Sequence, residues 1–125
     1  MAKVLIADDQ VNMRRLVRLT LETGRFEIFE APDGDAALEV ARREHPDLVF
    51  LDWTMPGLPG VEVCRALRED PANAGMRIVM LTARSQDGDR ETAREKGADD
   101  YITKPFSPIQ LLEKVRDVLG PEALL

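Results

Sequence analysis

Cysteine is almost missing from this chain of 125 residues: there is one, Cys64. A single thiol excludes an internal disulfide and suits a reducing cytoplasm. It falls between Val63 and Leu67 on a helical stripe, where a small buried filler is expected rather than a reactive group. No apolar run reaches membrane-spanning length, and no signal peptide precedes the first strand-forming run. Neither a membrane nor a secreted setting is expected. Clustered Lys and Arg are also absent. The net charge is -6 and acids and bases are interspersed, which argues against a nucleic-acid surface, because phosphate neutralisation needs grouped cations. GxGxxG and Walker patterns do not occur, so dinucleotide and P-loop nucleotide sites are not expected. There is no linker or low-complexity tract. A chain of this length, 44% hydrophobic and 32% charged, is expected to form one soluble domain with its own core.

Strand and helix signals alternate five times along the sequence. Short aliphatic or β-branched runs begin near Val4, Phe26, Leu48, Ile78 and Tyr101. Between them lie stretches with helical spacing. Met13, Leu16, Val17 and Leu21 form a first stripe, with Gly24 as a stop. Asp33 is placed to cap a second helix whose inner face is Ala37, Leu38 and Ala41, ending at Pro46. Val63, Cys64 and Leu67 mark a third. Ser107 as cap and Pro108 at the first position open a fifth, which buries Leu111, Leu112, Val115 and Leu119 and stops at Gly120-Pro121. The fourth, from Ser85 to Lys96, has one clear aliphatic, Ala93, and an interior Gly88. It is expected to be held weakly by packing, either as a solvated surface helix or as an element near the low-stability end, available to move when the site changes. Such a βα repeat predicts a parallel sheet with helices on both faces. The run 48–51, without polar alternation, predicts a central strand.

The polar residues that follow these runs carry the chemistry. Asp8 and Asp9 follow Val4-Leu5-Ile6-Ala7, Asp52 follows Leu48-Val49-Phe50-Leu51, Thr82 follows Ile78-Val79-Met80-Leu81, and Lys104 follows Tyr101-Ile102-Thr103. In an open parallel sheet, ligands bind beyond the carboxyl ends of the strands, so these groups are expected to converge on one edge. Three carboxylates at close range repel one another, and Lys104 offsets only part of that. A hard dication such as Mg²⁺ accepts carboxylate and backbone oxygens and resolves the rest. Asp52 then has a role as nucleophile toward phosphorus, forming an acyl phosphate. The metal and Lys104 would neutralise the transferring group. Thr82 and backbone N–H groups after Asp52 would hydrogen-bond its remaining oxygens.

At this point the chain resembles the receiver domain of bacterial two-component response regulators. The motifs are Val4-Leu5-Ile6-Ala7-Asp8-Asp9, Pro46-Asp47-Leu48-Val49-Phe50-Leu51-Asp52, Met55-Pro56-Gly57, Leu81-Thr82-Ala83, Gly97-Ala98-Asp99-Asp100-Tyr101 and Lys104-Pro105-Phe106. The resemblance implies an α/β, flavodoxin-like doubly wound fold with a five-stranded parallel sheet in the order 2-1-3-4-5. It implies a receiver domain over residues 1–121, with 122–125 as a C-terminal tail or the start of a linker. It implies that Asp52 is the phosphoacceptor, and that Asp9 and Asp52 bind Mg²⁺ (or Mn²⁺), with Asp8 acting largely through water and the Thr54 carbonyl completing the protein ligands. Lys104 would contact the phosphoryl group, and Lys104-Pro105 would be a cis peptide. Thr82 and Tyr101 would form the switch: as Thr82 turns toward the phosphoryl, Tyr101 packs inward and the face of the fourth helix, fifth strand and fifth helix changes. The donor would be a phosphohistidine on a sensor histidine kinase or histidine phosphotransferase. His45, before Pro46 at a helix end, is not that group.

The segment from Leu81 to Pro108 is most similar to receivers of winged-helix transcriptional regulators, which dimerise through charged pairs on that same face. Arg90, Asp100 and Lys114 match their pattern. Gln110 stands where that subfamily carries Glu, which removes one ion pair. The chain either stands alone or is cut at the end of the fifth helix. Thr54 and Arg84, two residues after Asp52 and Thr82, are expected to line the path of an attacking water, with Arg84 partly covering the phosphoryl. Trp53, beside Asp52, is expected at the mouth of the site. Two alternatives remain at this level. A haloacid-dehalogenase-like phosphatase shares a strand-end Asp and Mg²⁺, although Pro56 breaks its motif and no cap domain fits. A receiver that works only by docking, without phosphorylation, is the other. The switch reading makes the protein a phosphoacceptor rather than an enzyme, acting in the cytoplasm.

Overall fold

A computed structural model describes residues 1–22, 24–84 and 86–124. The chain alternates strictly: β1 (Ala2–Ala7), α1 (Val11–Leu21), β2 (Phe26–Ala31), α2 (Gly34–Glu44), β3 (Leu48–Leu51), α3 (Gly60–Arg68), β4 (Arg77–Thr82), α4 (Asp87–Glu95), β5 (Asp100–Thr103) and α5 (Pro108–Leu119). Short 3-10 turns lie at Pro71–Asn73 and Pro121–Leu124. All pairings are parallel and the strand order is β2-β1-β3-β4-β5, as the resemblance implies.

The two-residue period of the strands divides the interior into two cores. Leu5, Val49, Leu51, Ile78 and Met80 point to one face, where α2 and α3 supply Ala37, Ala41, Val63, Cys64 and Leu67. Val4, Ile6, Leu48, Phe50, Val79 and Leu81 point to the other, where α1 and α5 supply Val17, Leu21, Leu111 and Val115. All four residues of β3 are inaccessible to solvent, as a strand covered on both sides requires. Each such Leu or Val contributes about 1.5–3 kcal/mol on burial.

Caps set the helix limits where the sequence supplies them. The Asp33 side chain accepts the Ala36 amide at 2.8 Å. Ser107 and Gln110 form a reciprocal capping box, with Pro108 at the first helical position. Some details differ from the sequence pattern. Leu16 is exposed, and Thr20 takes the buried place beside Val17, its hydroxyl donating to the Leu16 carbonyl at 2.8 Å. Leu38, Leu112 and Leu119 are only half-buried. β1 and β4 begin earlier than their apolar runs, at Ala2 and Arg77, because the ladder extends beyond the last side chain that needs covering. Ser85, the expected start of the fourth helix, and Leu125, the end of the tail, lie outside the described residues. Among the described side chains of α4, Ala93 alone is buried.

Candidate functional site

Thr82 is the last residue of β4, and three further strand-end residues are each fixed by a bond that continues the ladder one step past the strand. The Asp8 amide donates to the Ala31 carbonyl at 3.1 Å, the Asp52 amide to Ala7 at 2.9 Å, and the Lys104 amide to Thr82 at 2.8 Å. The carboxyl edge of the sheet thus becomes a crevice. Asp8, Asp9 and Asp52 each place a carboxylate oxygen within 4.8 Å of the others. Asp8 is inaccessible, Asp52 is 7% exposed and Asp9 is open to solvent. The peptide Lys104-Pro105 is cis.

The charges are only partly balanced. Lys104 Nζ donates to Asp8 Oδ2 at 2.6 Å and lies 3.5 Å from Asp52 Oδ2. The Gln10 amide donates to Asp8 Oδ1 at 2.9 Å. Burial pushes the Asp52 carboxyl above its ordinary value, and the Asp8 charge adds to this; Lys104 and the Thr54 amide pull it back without cancelling the rise. One ammonium facing three acids leaves net negative charge in a partly buried cavity. Carboxylate oxygens this close together are the donor set that a small hard dication accepts. The residues present therefore fit a divalent metal.

The other expected residues are placed by their own contacts. Thr82 is 2% exposed, and its hydroxyl accepts the Arg84 amide at 3.3 Å. Thr54 is exposed just beyond Asp52. Trp53 is 8% exposed, with the Arg84 guanidinium 4.5 Å from its ring centroid. Tyr101 packs inward, its hydroxyl donating to the Arg84 carbonyl, and the Arg90 guanidinium lies over its ring, 5.1 Å from the centroid. Lys114 pairs with Asp100 at 2.8 Å within the chain. His45 is exposed in a left-handed conformation, φ 49°, at the C-terminus of α2, on the opposite edge of the sheet. Cys64 is fully buried.

Three contributors were not visible in the sequence. Arg14 sends Nη1 to the Asp8 carbonyl at 2.7 Å while its Nε pairs with Glu30, bracing the first loop. Gly60 lies so close to the Asp52 backbone that a Cβ there would sit 2.0 Å from the Asp52 carbonyl oxygen. A Cβ at Gly34 would likewise sit 1.8 Å from the Leu58 carbonyl oxygen. Each contact depends on how the chain folds back across a loop or between elements, so no periodic pattern announces it.

Comparison with known proteins agrees with this geometry. Residues 4–116 match the family model described as the response regulator receiver domain. The probable transcriptional regulator ycf27 of Porphyridium aerugineum is 45% identical over 117 residues, covering 94% of this chain and 48% of that protein. The transcriptional regulatory protein ResD of Bacillus subtilis is 43% identical, with the same coverage of 94% and 48%. The chain thus spans about half the length of the curated relatives it matches. Among solved structures, the chemotaxis response regulator CheY4 of Vibrio cholerae superposes with a TM-score of 0.89 at 33% identity, covering 94% of this chain and 98% of that one.

Proposed function

The chain belongs to the response regulator receiver domain family, and from that premise we propose that Asp52 is the phosphoacceptor of a signalling switch. The observation that carries this reading is the crevice itself: Asp8, Asp9 and Asp52 share one small volume, with Lys104 reaching two of them. In the transfer, an Asp52 oxygen attacks phosphorus on a partner's phosphohistidine. The phosphorus–nitrogen bond breaks and the imidazole nitrogen keeps the electron pair. Lys104 faces the incoming negative charge, and Thr82 with the Thr54 amide offers hydrogen bonds to the phosphoryl oxygens. Asp9, Asp52 and the Thr54 carbonyl would hold Mg²⁺ or Mn²⁺, with Asp8 acting through water. A dication there supplies charge neutralisation for an otherwise repulsive meeting of anions. Thr54 and Arg84 flank the approach of water and set how long the phosphoryl persists.

The signalling consequence falls on the surface of α4, β5 and α5. A phosphoryl group shifts that surface only by its differential affinity for two arrangements. Tyr101 and Thr82 are the residues through which the shift is read. The relatives' names support a transcriptional output, and with it a homodimer through this surface in the whole protein, working in the cytoplasm with a sensor histidine kinase or phosphotransferase. Among the described residues no helix is long and apolar enough to cross a membrane. The family match speaks against the phosphatase alternative, and a complete acidic crevice with Lys104 in reach favours the switch over a receiver that only docks. The test is incubation with acetyl phosphate and Mg²⁺ followed by intact mass. One added phosphoryl group in the wild type and none in Asp52→Asn is the expected result; equal labelling of the two overturns the reading.

A further inference from the structure

The junction between β4 and α4 holds an arrangement that phosphoryl chemistry does not require. The Arg84 guanidinium lies over the indole of Trp53, 4.5 Å from the ring centroid, and 3.5 Å from Asp89 Oδ1 in α4. The carbonyl of the same residue accepts the Tyr101 hydroxyl. Arg84 therefore touches the residue after Asp52, the start of α4 and the tyrosine of β5. The three partners differ in how firmly they are held. Trp53 is buried, and its carbonyl accepts the Gly60 amide at 2.9 Å. α4 buries only Ala93 among its described side chains. Packing thus anchors the tryptophan and leaves the helix loosely attached.

We propose that Arg84 is a positioning residue that fastens α4 to the loop carrying Asp52, so that displacement of that loop is carried to α4 and Tyr101. An exposed ion pair to Asp89 alone would hold little. A planar guanidinium resting on a buried aromatic face is oriented by it, and the Asp89 carboxylate then meets a cation already in place. The two contacts reinforce one another through one side chain. The meaning of this fastening for signalling rests on Asp52 being the phosphoacceptor, but the fastening itself is measurable without any phosphodonor.

The experiment uses the full chain as wild type, Arg84→Ala, Asp89→Asn and the double variant. Trp53 is the only tryptophan, so its emission reports on its own ring. Without donor, each single variant is expected to shift Trp53 emission and to raise amide exchange in α4 about threefold, the size of one lost cation–π contact. The double variant is expected to go no further than either single one. Independent contacts would add, so additive effects, or an Asp89→Asn protein unchanged in both signals, overturn the proposal. With acetyl phosphate and Mg²⁺, intact mass is followed separately. Labelled wild type should change Trp53 emission and α4 exchange together, whereas labelled Asp89→Asn should change Trp53 emission alone. A joint change in Asp89→Asn overturns the proposal. A wild type that gains no mass counts against the phosphoacceptor reading and leaves the donor-free outcome standing.

Discussion

Lys104 Nζ lies 2.6 Å from Asp8 Oδ2, closer than its 3.5 Å approach to Asp52. Asp8 is wholly inaccessible to solvent, so the ammonium is the main compensation for a charge that water cannot reach. Removing one partner of a buried pair leaves the other uncompensated, at a cost of about 3–5 kcal/mol. Lys104→Met is expected to lose stability near the low end of that range, since Gln10 still donates to Asp8. Urea unfolding in the presence of a chelator measures it, and an unchanged midpoint would contradict this balance of charges.

Asp52 behaves in the opposite sense. Its folded carboxyl is raised above the ordinary 3.8, first by burial and then by Asp8. A raised acid contributes stability that is fully present below its unfolded value and is lost as pH rises through the folded one. With a chelator present, Asp52→Asn is therefore expected to be more stable than the wild type at pH 7. The gap should close as pH falls below about 3.8. Thermal unfolding across that range is the measurement, and a variant less stable than the wild type at pH 7 would oppose it.

Two glycines should respond to alanine with opposite signs. At Gly60 a Cβ would meet the Asp52 carbonyl oxygen at 2.0 Å, and backbone on both sides leaves little room to yield. Overpacking of this kind costs about 1–3 kcal/mol. At Gly88, the second residue of α4, a Cβ would meet nothing within 4 Å, and Ala is favoured over Gly in a helix by up to about 1 kcal/mol, less in its first turn. Gly60→Ala is expected to destabilise the protein and to slow labelling of Asp52, and Gly88→Ala to stabilise it. Denaturant midpoints together with labelling rates check both.

The Cys64 thiol, buried against the sheet, is pushed up to about 12, chiefly by desolvation; Asp99 adds to the rise and Arg68 opposes it. The thiolate is the reactive form, so native protein at pH 8 is expected to resist a thiol reagent that labels the unfolded chain at once. Prompt labelling of the folded protein would place Cys64 outside the core.

The alternation of apolar runs and helical stripes was enough to locate all five strands, and the polar residues at the ends of four of them marked the crevice edge. Those signals are local: a strand ends where its covered residues end, and Asp33 and Ser107 cap the helices that follow them. Leu16 misled because periodicity names a stripe and not its width, so the edge of the stripe went to Thr20. Gly60, Gly34 and Arg14 escaped because their meaning is a close approach to a backbone atom across a turn of the folded chain, which periodicity does not encode. Arg84 was marked as facing the phosphoryl path, and its engagement with Trp53 and Asp89 became visible only with the fold.

The switch depends most on one bond, between phosphorus and an Asp52 oxygen. Borohydride reduction after labelling with acetyl phosphate and Mg²⁺ converts an acyl phosphate to an alcohol, and peptide mass spectrometry then locates it. Homoserine at position 52 alone, lost when a chelator replaces the metal, is the predicted result. Reduction at position 8 or 9, or at no position despite a gain in intact mass, would contradict it.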